Sequence, residues 1–71
     1  MVKKNLLEAK MKIHGDIQND LAEVIGISVA AFNYKLNGKR EFTTTEIQKI
    51  RERYNLTDEE VVEIFFGHDV S

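Results

Sequence analysis

The chain has 71 residues, 42% hydrophobic and 31% charged, with no cysteine and no proline. A chain this short forms one domain that buries only about 60% of its unfolded surface, and without cysteine neither a disulfide nor a thiolate zinc site can supplement the core. The formal net charge of −2 is split: residues 1–40 carry seven Lys/Arg against four Asp/Glu and residues 41–71 carry three against eight, so a basic face can attract phosphate while the acidic remainder favours solubility.

Apolar residues recur at three- and four-residue steps without strict alternation, which predicts an all-helical chain. Gly15, Gly26, Gly38 and Gly67 punctuate it, with a further break near Asn55 to Thr57, so the expectation is five short helices in a single domain spanning 1–71. Apolar runs are too short to span a bilayer and no secretory pattern opens the chain, so the expected location is the cytoplasm, with no membrane partner.

The first helix is predicted from Asn5 to His14, with Asn5 and Glu8 spaced as a capping box and Leu7, Met11 and His14 on one face beside Leu6 and Ile13. Asp16 is then expected to cap a second helix in which Ile17, Leu21, Val24 and Ile25 repeat at helical spacing. Gly26 stops it. Ser28 is the natural cap of a third helix running to about Asn37, before Gly38. After a polar stretch, Thr44 or Thr45 is expected to cap a fourth helix that turns Ile47, Ile50 and Tyr54 inward. Thr57 and Glu60 form a capping box for the fifth, where Asp58 and Glu59 add first-turn charge. Val61, Ile64 and Phe65 make its apolar stripe. Phe66 lies one residue off it, either tucked under the core or free to touch a second copy.

The informative segment is Gln18 to Gly38, QNDLAEVIGISVAAFNYKLNG. Ala22 is small enough for another helix to cross closely, and Gly26 can take the positive φ of a three- or four-residue turn. Leu21, Ile25, Ile27 and Phe32 fill the angle. The pattern predicts a helix-turn-helix. With Phe32 and Leu36 inward, Ala30, Asn33, Tyr34 and Asn37 face outward and Val29 sits at the margin. Such a face suits a DNA major groove: Asn33 can pair with adenine, and Val29 or Ala30 can meet a thymine methyl.

The DLAEVIGIS core, the following FNYKLNGK and the later EFTTTEIQKIRERYNLTDEEVVEIFF together resemble the Cro/C1-type phage repressor family, especially its short prophage members. The resemblance covers nearly the whole chain. It implies a compact, lambda-repressor-like five-helix domain and a sequence-specific regulator of transcription. It implies that Gln18 bonds a phosphate, that Ser28, Val29, Ala30, Asn33 and Tyr34 approach bases, and that Asn37, Lys39 and Arg40 grip the next phosphates. The expected partner is a double-stranded DNA operator bound by a weak homodimer, with no cofactor.

Two departures stand out. Met11 and Leu36 occupy the places where many relatives pair a buried arginine with a glutamate, so an apolar contact between them is expected instead. Ile17 replaces a common capping threonine, and the third helix carries neither glutamine nor arginine. Tyr34 fits a DNA contact and a cover over a neighbouring helix equally. Lys39 and Arg40 also fit a solvated loop. His14 and His68 are far apart with no second ligand at helical spacing, and no nucleophile has a sequence-evident base, so neither a metal site nor an enzyme is expected. The competing function is a protein-binding, anti-repressor-like module whose acidic last two helices form the docking face.

Overall fold

A computed structural model describes residues 1–67, and among them are five helices and no strands: α1 (Lys4–Ile13), α2 (Gln18–Ile25), α3 (Val29–Leu36), α4 (Thr44–Tyr54) and α5 (Asp58–Phe66). Each contributes a short apolar stripe to one core. Leu7 and Met11 enter from α1, Leu21, Ala22 and Ile25 from α2, Phe32 and Leu36 from α3, Ile50 and Tyr54 from α4, and Val61, Ile64 and Phe65 from α5. Helix α2 packs against α3 and α4, while α5 closes the bundle against α1 and α4. The radius of gyration is 11.0 Å, about the value for a compact chain of this length.

The core also draws on two residues outside the helices. Phe42, in the polar stretch before α4, is buried with its ring edge-on to Phe32 at 5.8 Å and to Phe65 at 5.5 Å. It welds the connection between α3 and α4 to the end of α5. Leu56 is buried between α4 and α5, where Asn55 takes a left-handed φ of 50° and directs the chain inward. Met11 and Leu36, the two residues expected to meet in an apolar contact, both lie in the core. Phe65 is core, whereas Phe66 is half exposed.

Three helix starts differ from expectation. Helix α1 begins at Lys4 rather than Asn5, and no side chain caps it. The Lys3 amide instead donates to the Ile64 carbonyl at 2.6 Å, so contact with α5 sets where the chain turns helical. Helix α2 is capped at Ile17, not Asp16. The Asp20 carboxylate accepts from the Ile17 amide at 2.9 Å, while the Asp16 carboxylate is occupied by α4. Helix α4 is capped by Thr43, one residue before the expected threonines, because Glu46 reaches back to the Thr43 amide at 2.9 Å and completes a capping box. Ile13 and Ile17, expected on apolar faces, are largely exposed. Ile13 lies two residues from buried Met11, about 200° around α1 and so on its solvent side, and Ile17 is the N-cap residue, just outside α2.

Candidate nucleic-acid interface

The segment from α2 to α3 is built by local chemistry. Gly26 ends α2 at φ 80°, a conformation that costs a β-carbon about 1 kcal/mol or more, and its amide returns to the Ala22 carbonyl at 2.9 Å. Two residues later the Ser28 hydroxyl accepts from the Ala31 amide at 3.1 Å and starts α3. Only Gly26, Ile27 and Ser28 separate the two helices. At the other end, Gly38 (φ 79°) donates to Lys35 O at 3.1 Å and Lys39 N donates to Tyr34 O at 2.9 Å. These are the two bonds of a Schellman motif, and they fold the chain back over α3. Lys39 Nζ consequently stands 5.8 Å from the centroid of the Tyr34 ring.

Phe32, Lys35 and Leu36 face inward, leaving Ser28, Val29, Ala30, Asn33, Tyr34 and Asn37 exposed along the rest of α3 and its caps. Gln18 joins them from the start of α2. Asn33 Nδ2 donates to Gln18 Oε1 at 3.4 Å, and Asn37 Nδ2 donates to the Asn33 carbonyl at 2.8 Å and to Asn33 Oδ1 at 3.2 Å. Lys4 Nζ then donates to Asn37 Oδ1 at 2.9 Å. Four polar side chains from three helices thus form one continuous string. Lys39 and Arg40 are exposed just beyond it. Tyr34 is half exposed, with Lys39 Nζ over its ring.

No family model, curated protein or solved structure matches the chain. The site is therefore characterised by its own geometry.

Two polar clusters, one buried and one at the surface, lie beside this face. Lys35, on the inward side of α3, contacts both oxygens of Glu46 on α4 at 2.6 and 2.8 Å, with both side chains about nine-tenths buried. Burial pushes the Glu46 carboxyl up, but bonds from Lys35 and from Thr43 outweigh it and leave the group below its ordinary range. Because Glu46 also completes the Thr43 cap, one carboxylate couples α3 to the start of α4. At the opposite end, Asp16 holds Arg53 through two bonds of 2.7 and 2.6 Å and accepts from the Tyr54 hydroxyl at 2.7 Å. Its side chain is only 4% exposed. The Arg53 guanidinium, helped by Tyr54 and opposed by burial, holds Asp16 down at about 2. Burial and the Asp16 bond push the Tyr54 hydroxyl up. His14 stacks on the Tyr54 ring with centroids 4.7 Å apart, which gives this helix-end histidine a packing role.

Among the described residues, no group of three or more His, Asp or Glu is arranged to hold a metal, and no helix is long and apolar enough to cross a membrane. His68 lies outside the described residues. Lys4 and the Lys35–Glu46 pair were not legible as parts of this site. Lys4 sits 33 positions from Asn37, and the only available hint was a basic pair, Lys3 and Lys4, in the basic half of the chain.

Proposed function

We propose that the protein is a sequence-specific DNA-binding regulator of transcription of the Cro/C1 repressor type, with α2 and α3 as its helix-turn-helix and α3 in the major groove. The observation that carries this reading is the exposed string of Gln18, Asn33, Asn37 and Lys4, flanked by Lys39 and Arg40. Amides at the centre suit base edges, and cations at the margins suit phosphates. Ser28, as the α3 cap, and the small apolar Val29 and Ala30 admit the helix close to the groove floor, where methyl contacts add to the readout.

The net charge does not oppose this. Ion pairs hold Lys10 to Glu60, Lys35 to Glu46, Arg51 to Asp58 and Arg53 to Asp16, and none of these four cations belongs to the proposed face. A single module covers only about 600–1,000 Å² of DNA, so two copies on a near-palindromic operator, with half-sites about 34 Å apart, supply the working affinity. Phe66, half exposed beside buried Phe65, is the residue we assign to the contact between copies. Such a regulator acts where the genome is accessible, in the cytoplasm.

The test is selection from random duplexes, followed by binding to the enriched sequence across a salt series. Enrichment of a motif with affinity falling steeply in salt is the expected result. Negligible binding at every salt concentration would overturn the reading and favour a protein partner instead.

A further inference from the structure

Asn37 is the member of the amide string whose orientation the main chain dictates. Its backbone amide donates to the Asn33 carbonyl at 3.0 Å, and its side-chain Nδ2 donates to the same oxygen at 2.8 Å. A carbonyl only accepts, so the side-chain amide must present its nitrogen there. That placement also brings Nδ2 to 3.2 Å from Asn33 Oδ1, to which it donates, while the other end of the amide, Oδ1, accepts from Lys4 at 2.9 Å. The Asn33 side chain has no main-chain tie of its own. Its partners are Asn37 Nδ2 and Gln18 Oε1, the latter at 3.4 Å, and among the described residues no main-chain bond fixes the Gln18 amide in turn.

We propose that Asn37 is a positioning residue, which holds the Asn33 side chain in place for a base edge, and is not a phosphate ligand. The assignment rests on the DNA-binding reading above and replaces the role that the resemblance implies for Asn37. Phosphate oxygens only accept, so Asn37 could bond one only through an N–H. Both of its nitrogens already face Asn33, and its oxygen has nothing to give a phosphate. What Asn37 does supply is restraint. The terminal torsion of an asparagine is broad, so an exposed amide without a fixed partner samples many orientations, and holding it before DNA arrives removes part of the ordering cost of binding. The bond uses one lone pair of Asn33 Oδ1 and leaves the other for a base.

The experiment uses the full chain and the duplex obtained by selection. Asn37→Ala is expected to weaken that duplex about two- to tenfold per copy bound, the worth of one net hydrogen bond, and to leave binding to a random-sequence duplex unchanged. In an Asn33→Ala background the same substitution should cost less than about 1.5-fold, because the side chain it holds is gone. A phosphate ligand acts without Asn33 and on every sequence, so a loss of equal size in both backgrounds, or on the random duplex as well, would overturn the assignment while leaving DNA binding intact. No loss on the selected duplex would overturn it too. The free protein offers a second readout. Asn37 is exposed, with an ordinary φ of −85°, so Asn37→Ala should melt within a few degrees of the parent. Side-chain couplings measured by NMR should show one Asn33 rotamer in the parent and averaging in the variant. The same couplings in both proteins would overturn the restraint. Failure to enrich any duplex would overturn the DNA-binding reading and this assignment together.

Discussion

Replacing Asp16 with Asn tests the polar latch between the α1–α2 turn and α4. The substitution keeps the shape of the side chain and removes the charge that binds Arg53 twice and Tyr54 once. Asp16 is held at about 2, against an ordinary value of 3.8, a difference worth about 2 kcal/mol at neutral pH. Because the folded value is the lower one, this stabilisation is present above the unfolded value of 3.8 and is lost as pH falls through about 2. Linkage gives about half of it remaining at pH 3 and a few tenths of a kcal/mol at pH 2. For a domain of this size, 2 kcal/mol corresponds to a fall in Tm of roughly 8–16 °C. Urea unfolding of the parent and of Asp16→Asn at pH 7, 4, 3 and 2 reads the gap directly. It should be nearly constant from pH 7 to 4 and then close. A gap that stays the same size at pH 2 would show that the carboxylate charge is not what the latch uses.

Phe42→Ala should cost about 3–5 kcal/mol, a core penalty from a residue in a connecting loop, seen as a fall in Tm of more than about 12 °C. A change of only a few degrees would mean that the ring is not packed between Phe32 and Phe65. Lys35→Ala should destabilise by about 3–5 kcal/mol because it leaves the Glu46 carboxylate buried without its cation, and chemical denaturation of Lys35→Met with Glu46→Leu should recover most of that loss. Ser28→Ala should cost about 1 kcal/mol in the same assay through the α3 cap. Changing Lys39 and Arg40 together to Ala should reduce the slope of log affinity against log salt by about two, with sequence preference retained.

The helices whose ends are marked by local chemistry were legible in the sequence. Gly26, the Ser28 cap and the Thr57–Glu60 box act within a few residues of themselves, so their effect can be read from spacing alone. Starts governed by distant partners were not. Asp16 has the right residue type for a cap, but Arg53 and Tyr54, 37 and 38 positions away, claim its carboxylate. Lys3 is drawn into place by the Ile64 carbonyl on α5. Phe42 was hidden by its polar neighbours, since a single aromatic in a loop carries no periodicity. The proposed face shows the same division. The α3 residues follow from helical spacing once Phe32 and Leu36 are inward, whereas Lys4 joins them only through tertiary packing of α1.

The polar clusters also bear on how so short a protein can hold in place the proposed face, which is made largely of neutral amides. Asp16 lies two residues before Gln18, and Lys35 lies between exposed Tyr34 and buried Leu36, so each cluster anchors the backbone directly beneath a member of the face. Close packing of Phe32 and Leu36 already resists rotation of α3 about its own axis, and the lysine held by both oxygens of Glu46 adds a directional tie to α4. The two kinds of charge then respond differently to the medium. Surface cations such as Lys39 and Arg40 lose their attraction for phosphate as the Debye length shrinks, while the buried Lys35–Glu46 pair is screened far less. Salt should therefore release DNA well before it loosens the framework that aims Asn33 and Gln18, and recovery of affinity on dilution should be as fast as mixing because no refolding is required.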